Sequence, residues 1–161
     1  MSGEGAPVLA VDGAHDLRVG VVTARWHGQI TDGLRAGALA ALAEMGVREP
    51  VEVSSPGAFE VPLLAAALAR AGCDAVVCLA AVIRGATPHF DHVARAVTDG
   101  CARVALETGI PMGFGVLTCD DEAQARDRAG LPGSLEDKGR EAAQAAVATA
   151  VALRAISDRG C

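Results

Sequence analysis

Nine consecutive apolar residues, Ala75–Ile83, constrain this chain more than any other feature. The run is too short to span a bilayer and has no polar face. It therefore reads as a strand buried on both sides, which is how strands of a parallel sheet read. Three further short runs resemble it: Arg18–Thr23, Val51–Val53 and Phe114–Thr118. The stretches between them change period. Ile30, Leu34, Ala38, Leu42 and Met45 recur at helical spacing up to Gly46, with Thr31 or Asp32 as the expected cap. Residues 59–71 are helical provided Pro62 lies in the first turn. Asp91–Glu107, Glu122–Arg128 and Lys138–Ile156 complete the helices, and Gly85–Phe90 and Gly130–Asp137 read as loops.

The order β-α-β-α-β-α-β-α-α predicts an α/β three-layer sandwich, with a four-stranded parallel flavodoxin-like sheet covered by helices on both faces. Residues 1–13 are Gly-rich and read as a flexible N-terminal arm, with Val8–Val11 as a candidate edge strand. Residues 14–161 form a single domain, as the length of 161 suggests.

Hydrophobic residues make up 51% of the chain, enough for a substantial core. The net charge of −6 gives no pull towards nucleic acid or an anionic membrane, so neither is expected as a partner. The cysteines are Cys73, Cys78, Cys101, Cys119 and Cys161, an odd count without a C-x-x-C pair. That argues for buried or idle thiols in a reducing compartment rather than disulfides or zinc. The first residues carry no basic cluster followed by an apolar stretch, so a cytoplasmic location is expected.

Aromatic residues are 2% of the chain: Trp26, Phe59, Phe90 and Phe114. The core must be aliphatic. Trp26, Phe59 and Phe90 fall in the segments 24–28, 54–60 and 81–91, each of which follows a strand. Ligands of open parallel sheets bind beyond those strand ends. The rings could stack on a planar ligand or merely plug the sheet end. Phe114 breaks the pattern, lying at the start of its strand on the opposite rim. It could join the other rings only across a subunit interface.

The densest polar cluster is Arg84-Gly-Ala-Thr-Pro-His-Phe-Asp91. It leaves a buried strand and opens a helix, a geometry that suits a phosphate. Gly85 permits close approach, Thr87 adds a hydroxyl, and His89 can exchange protons near neutral pH. The same residues would also serve as a plain capped helix start, with Asp91 or Thr87 as cap. His89 and His92 form H-x-x-H without a third ligand, so no metal is expected. Glu60 sits where a helix dipole favours a carboxylate, and it could equally hold ligand hydroxyls. No P-loop, dinucleotide fingerprint or G-x-S-x-G elbow is present, so no cofactor is expected.

Together these residues resemble the lumazine synthase (6,7-dimethyl-8-ribityllumazine synthase) family. The matching stretches are 25–32, 55–62, 82–91, 114–118, 126–130 and 137–139. Val82-Ile-Arg-Gly-Ala-Thr-Pro-His-Phe-Asp91 is the most specific. The resemblance implies condensation of 5-amino-6-(D-ribitylamino)uracil with 3,4-dihydroxy-2-butanone 4-phosphate in riboflavin biosynthesis. It implies that Trp26 stacks on the pyrimidine and that Ala58, Phe59 and Glu60 hold the ribityl side. Ala81, Val82 and Ile83 would line the pyrimidine. Gly85, Ala86 and Thr87 would bind the phosphate substrate, and His89 would donate the proton. Phe114, Arg128 and Lys138 would come from a neighbouring subunit, with Arg128 on the phosphate. The family's Asn-Lys-Gly stands here as Asp137-Lys-Gly139, a mild departure. The resemblance further implies a homo-oligomer, either a pentamer or an icosahedral 60-mer. The loop 131–137 looks long enough to obstruct shell packing, which favours the pentamer. The alternatives are a non-catalytic lumazine- or flavin-binding or shell-forming homologue, and a riboflavin synthase acting on two lumazines.

Overall fold

The fold is taken from a computed structural model that describes residue 11 and residues 13–160. The expected arm and edge strand Val8–Val11 therefore lie outside the described residues, save Val11 and Gly13, as does Cys161. Four strands, β1 (Val19–Ala24), β2 (Val51–Ser55), β3 (Ala75–Ile83) and β4 (Met112–Cys119), form one all-parallel sheet in the order β2-β1-β3-β4. The helices are α1 (Gly28–Glu44), α2 (Val61–Arg70), α3 (His89–Thr108), α4 (Glu122–Arg126) and α5 (Lys138–Asp158).

Parallel strands need crossovers, and right-handed crossovers decide which face each helix covers. The chain moves one way from β1 to β2 and the opposite way from β2 to β3 to β4. Accordingly α1 packs with α5 on one face, while α2 and α3 pair on the other. Each face has its own aliphatic core. Val21, Val77 and Leu79 meet Ile30, Leu34, Ala143 and Val147 on the α1/α5 side. Val22, Val76, Cys78 and Val116 meet Val61, Ala65, Leu68 and Val97 on the α2/α3 side. From Ala75 to Val82, β3 is buried without interruption, the expected outcome for a strand covered on both faces. Cys73, Cys78, Cys101 and Cys119 are free and buried. Burial pushes the thiols of Cys73 and Cys119 above their ordinary pKa.

The starts of β1, α1, α2, α3 and β4 differ from the sequence reading, and three of them, α1, α3 and β4, bear on the site. Helix α1 begins at Gly28, capped by His27 rather than Thr31 or Asp32. His27 takes a left-handed conformation (φ 56°, ψ 52°) that turns its carbonyl to accept from the N–H groups of Ile30 and Thr31. Thr31 lies inside the helix and its hydroxyl donates back to Gly28 at 3.3 Å. Helix α3 begins at His89, two residues before the expected Asp91, because Pro88 already holds helical φ and serves as its cap. Neither Asp91 nor Thr87 caps it through a side chain. Strand β4 begins at Met112, so Phe114 pairs in register with Cys78 and sits within the sheet rather than at its rim.

The α1–α5 contact is close enough to exclude a side chain. A Cβ at Gly139 would overlap the Leu34 carbonyl oxygen. We predict that Gly139→Ala destabilises the fold by about 2 kcal/mol, the range of a forced core insertion. Thermal melting should fall by about 4–8 °C, and an unchanged midpoint would mean that α5 can shift freely against α1.

Candidate active site

A cavity of about 500 Å³ opens beyond the C-terminal ends of β1, β2 and β3, at the point where the chain reverses direction across the sheet. Its size fits a small organic ligand. Four segments build its walls. Trp26 and His27 come from the turn after β1. Residues 57–60 come from the turn after β2, and Ala81, Val82 and Ile83 form the end of β3. The last wall is Gly85, Thr87, His89, Phe90 and Val93, the loop after β3 and the first turns of α3.

Trp26 and Phe59 are 69% and 63% exposed. Rings of that size seldom stand so open in a soluble protein without a partner or ligand to cover them. They gather with Phe90 around one opening. The turn after β2 is pinned from below by Ser55, which is fully buried. The Ser55 hydroxyl donates to the Gly57 carbonyl at 2.7 Å, and the Ser55 carbonyl accepts from the Arg25 N–H at 3.0 Å. Gly57 then leaves room for two functional groups at once. A Cβ there would stand 3.1 Å from Glu60 Oε2 and 3.6 Å from Trp26 Cδ1. The indole and the carboxylate thus flank the same glycine, an apolar plate beside a hydrogen-bond acceptor.

The wall from the loop after β3 adds polar groups. Helix α3 starts at His89, and the first N–H groups of a helix lack intrahelical acceptors and carry the positive end of its dipole. Gly85 and Thr87 precede that terminus and face the cavity. The arrangement can hold an anion next to an imidazole, with flat apolar surface in the same cavity.

Ala86 lies between two lining residues and does not itself line the cavity. Phe114, Arg128 and Lys138 do not line it either. Phe114 is 42% exposed on the edge strand β4. Arg128 and Lys138 are neighbours, because the Lys138 N–H donates to the Arg128 carbonyl at 2.9 Å. The Arg128 guanidinium donates to the Gln124 carbonyl at 2.8 Å. The Lys138 ammonium pairs with Glu136 at 2.6 Å and Glu141 at 2.8 Å. Desolvation alone would lower its pKa, but these carboxylates override that and hold it above the ordinary lysine value. A cationic pair therefore stands apart from the cavity of its own chain.

Sequence reasoning assigned no role to His27 or Ser55. The left-handed His27 was legible only as the residue before Gly28, and Ser55 only as the residue before Pro56. A second depression of about 530 Å³ lies beside the outer strand β2, with Arg25, Arg35 and Glu52 among its lining. It contains none of the aromatic rings, and Arg35 and Glu52 already neutralise each other at 2.5 Å. Among the described residues, no group of three or more His, Cys, Asp or Glu side chains could hold a metal ion.

Comparison with known proteins bears on the same residues. The family model described as 6,7-dimethyl-8-ribityllumazine synthase matches residues 16–154. A relative of that name from Kineococcus radiotolerans is 61% identical over 157 residues, covering 98% of this chain and 97% of the relative. One from Streptomyces coelicolor is 57% identical over 158 residues, covering 98% of both. One from Nocardioides sp. is 58% identical over 156 residues, covering 97% of both. The match spans all four strands and every wall of the cavity, and the chain belongs to the 6,7-dimethyl-8-ribityllumazine synthase family.

Proposed function

We propose that this chain condenses 5-amino-6-(D-ribitylamino)uracil with 3,4-dihydroxy-2-butanone 4-phosphate, giving 6,7-dimethyl-8-ribityllumazine, phosphate and water. The observation that carries the reading is the cavity itself. It gathers three aromatic rings, the end of a buried strand and a helix N-terminus that begins with histidine around one opening. A planar, hydroxyl-bearing reactant fits the rings and a phosphorylated one fits the helix N-terminus.

In this reading Trp26 stacks on the pyrimidine, and Ala81, Val82 and Ile83 form the surface beneath it. The Glu60 carboxylate, with the backbone of Ala58 and Phe59, accepts from the ribityl hydroxyls. Gly85, Ala86 and Thr87 receive the phosphate of the second substrate at the start of α3. The pyrimidine's primary amine attacks the ketone, and the resulting carbinolamine loses water to become an imine. His89 supplies a proton to the departing oxygen. Loss of the C3 proton and of phosphate from C4 leaves an enol that tautomerises to a methyl ketone, and the ribityl-bearing amine closes the ring on that new carbonyl with loss of a second water. Both reactants are held in register, which removes much of the entropy cost of a two-substrate reaction.

The cavity needs a further cation for the leaving phosphate and a cover for its exposed rings. Arg128 and Phe114, which do not line their own chain's cavity, meet both needs when supplied by an adjacent copy. Lys138 follows with them onto the pyrimidine side, although Glu136 and Glu141 hold its ammonium within its own chain. A homopentamer satisfies this sharing. The segment 131–137 supports a free pentamer over a shell, since a loop of that length would obstruct packing between pentamers. No described helix is long and apolar enough to cross a membrane, and a cytoplasmic setting suits a chain whose described cysteines are free.

Mixing the two substrates and following the absorbance and fluorescence of the lumazine tests the activity. Binding without turnover would overturn it in favour of a non-catalytic lumazine or flavin carrier. We predict that His89→Ala slows turnover by roughly tenfold to ten-thousandfold, the range for loss of an acid–base group. An unchanged kcat would remove His89 from the mechanism. Arg128→Ala is expected to raise KM for the phosphate substrate chiefly. Refolding the His89→Ala and Arg128→Ala chains together should restore more activity than the two show separately, because some hybrid sites then combine an intact histidine with an intact arginine. A mixture no better than its parents would mean that Arg128 does not cross between subunits. Sedimentation velocity distinguishes the pentamer from the shell.

A further inference from the structure

The loop between β3 and α3 carries the proposed phosphate site, yet its residues 84–89 are exposed to solvent. Something must hold it in one geometry if it is to present backbone N–H groups and His89 in register. Arg84, the residue that opens the loop, spans it. Its backbone N–H donates to the Cys119 carbonyl at 2.9 Å, extending the β3–β4 ladder one step past the strand. Its side chain then branches three ways. Nε donates to Asp120 Oδ1 at 2.8 Å, Nη1 reaches Asp91 Oδ1 at 3.4 Å, and the guanidinium carbon lies 4.2 Å from the centre of the Phe90 ring.

These contacts join three elements. Asp120 follows the end of β4, while Phe90 and Asp91 belong to the first turn of α3. His89 and Phe90 are consecutive, and both line the cavity. One guanidinium therefore ties the helix start to the sheet edge and closes the loop 85–88 between two fixed points. The planar fork suits that task, since it can meet a carboxylate in its plane and a ring on its face at once.

We propose that Arg84 is a positioning residue for this site, holding the phosphate-binding loop and His89 against the sheet through Asp120, Asp91 and the Phe90 ring. The inference rests on the proposed function above. Arg84, Asp91 and Asp120 keep 46%, 63% and 67% of their side-chain surface. Exposed ion pairs contribute little to overall stability. Losing them should disturb the position of the loop while leaving the fold intact.

Trp26 is the chain's one tryptophan, so its fluorescence reads the pyrimidine wall directly. The probes are 6-(D-ribitylamino)uracil, which lacks the condensing amine, and inorganic phosphate as a competitor of the phosphate substrate. In wild-type protein the ribitylaminouracil should quench Trp26. Absence of quenching would overturn the site reading itself. With quenching established, Arg84→Gln should leave that affinity within about twofold. It should weaken phosphate inhibition and raise KM for the butanone phosphate by about tenfold, within what small misplacements of reacting groups cost. Arg84→Lys, which keeps the cation over Phe90 but not the fork, should fall between. Asp120→Ala should move the same constants in the same direction, and the double variant should be no worse than Arg84→Gln, because residues of one network are not additive. If pyrimidine and phosphate affinities fall together, if neither moves, or if the two substitutions multiply, Arg84 does not position the loop.

Discussion

The site depends on a reversal of direction in the chain's path across a parallel sheet. From β1 the chain passes outward to β2, and only afterwards crosses to β3 on the other side of β1. Helix α1 therefore leaves β1 towards one face, while α3 leaves β3 towards the opposite face. The loops above two adjacent central strands diverge, and a crevice opens between them. Every wall of the cavity follows from that divergence. The site needed no separate scaffold, because right-handed crossovers and the strand order force the gap.

Aliphatic cores make this arrangement informative. With four aromatic side chains in the whole chain, packing is left to Ala, Val, Leu and Ile. The central strand β3 passes between two helical layers without a polar residue and ends where the cavity begins. Three of the rings then stand around the opening, two of them largely exposed. Such placement forgoes burial that a globular chain would ordinarily exploit. The compensation lies in a ligand, an adjacent copy, or both.

Most of the fold was readable because burial on both faces imposes a continuous apolar run, and β3 was read to the residue. The helices were readable from their period. The starts were less so. His27 caps α1 through a left-handed backbone, which no side-chain capping rule anticipates. Pro88 opens α3 ahead of the expected Asp91, so His89 is helical rather than a loop residue. In both cases the backbone conformation of one residue displaced the boundary. The motif around Arg84–Asp91 singled out one wall of the cavity, yet it carried no sign that Arg84 would bridge to Asp120, 36 residues away.

The sequence by itself determined the alternation of strands and helices, the aliphatic character of the core, and the residue types gathered after each strand. Those are local properties, written in hydrophobic period and in short motifs. Only the tertiary structure decided which segments share the cavity, and that Phe114, Arg128 and Lys138 stand away from it. Strand order and helix face are long-range consequences of crossover handedness and core packing, and no window of neighbouring residues contains them.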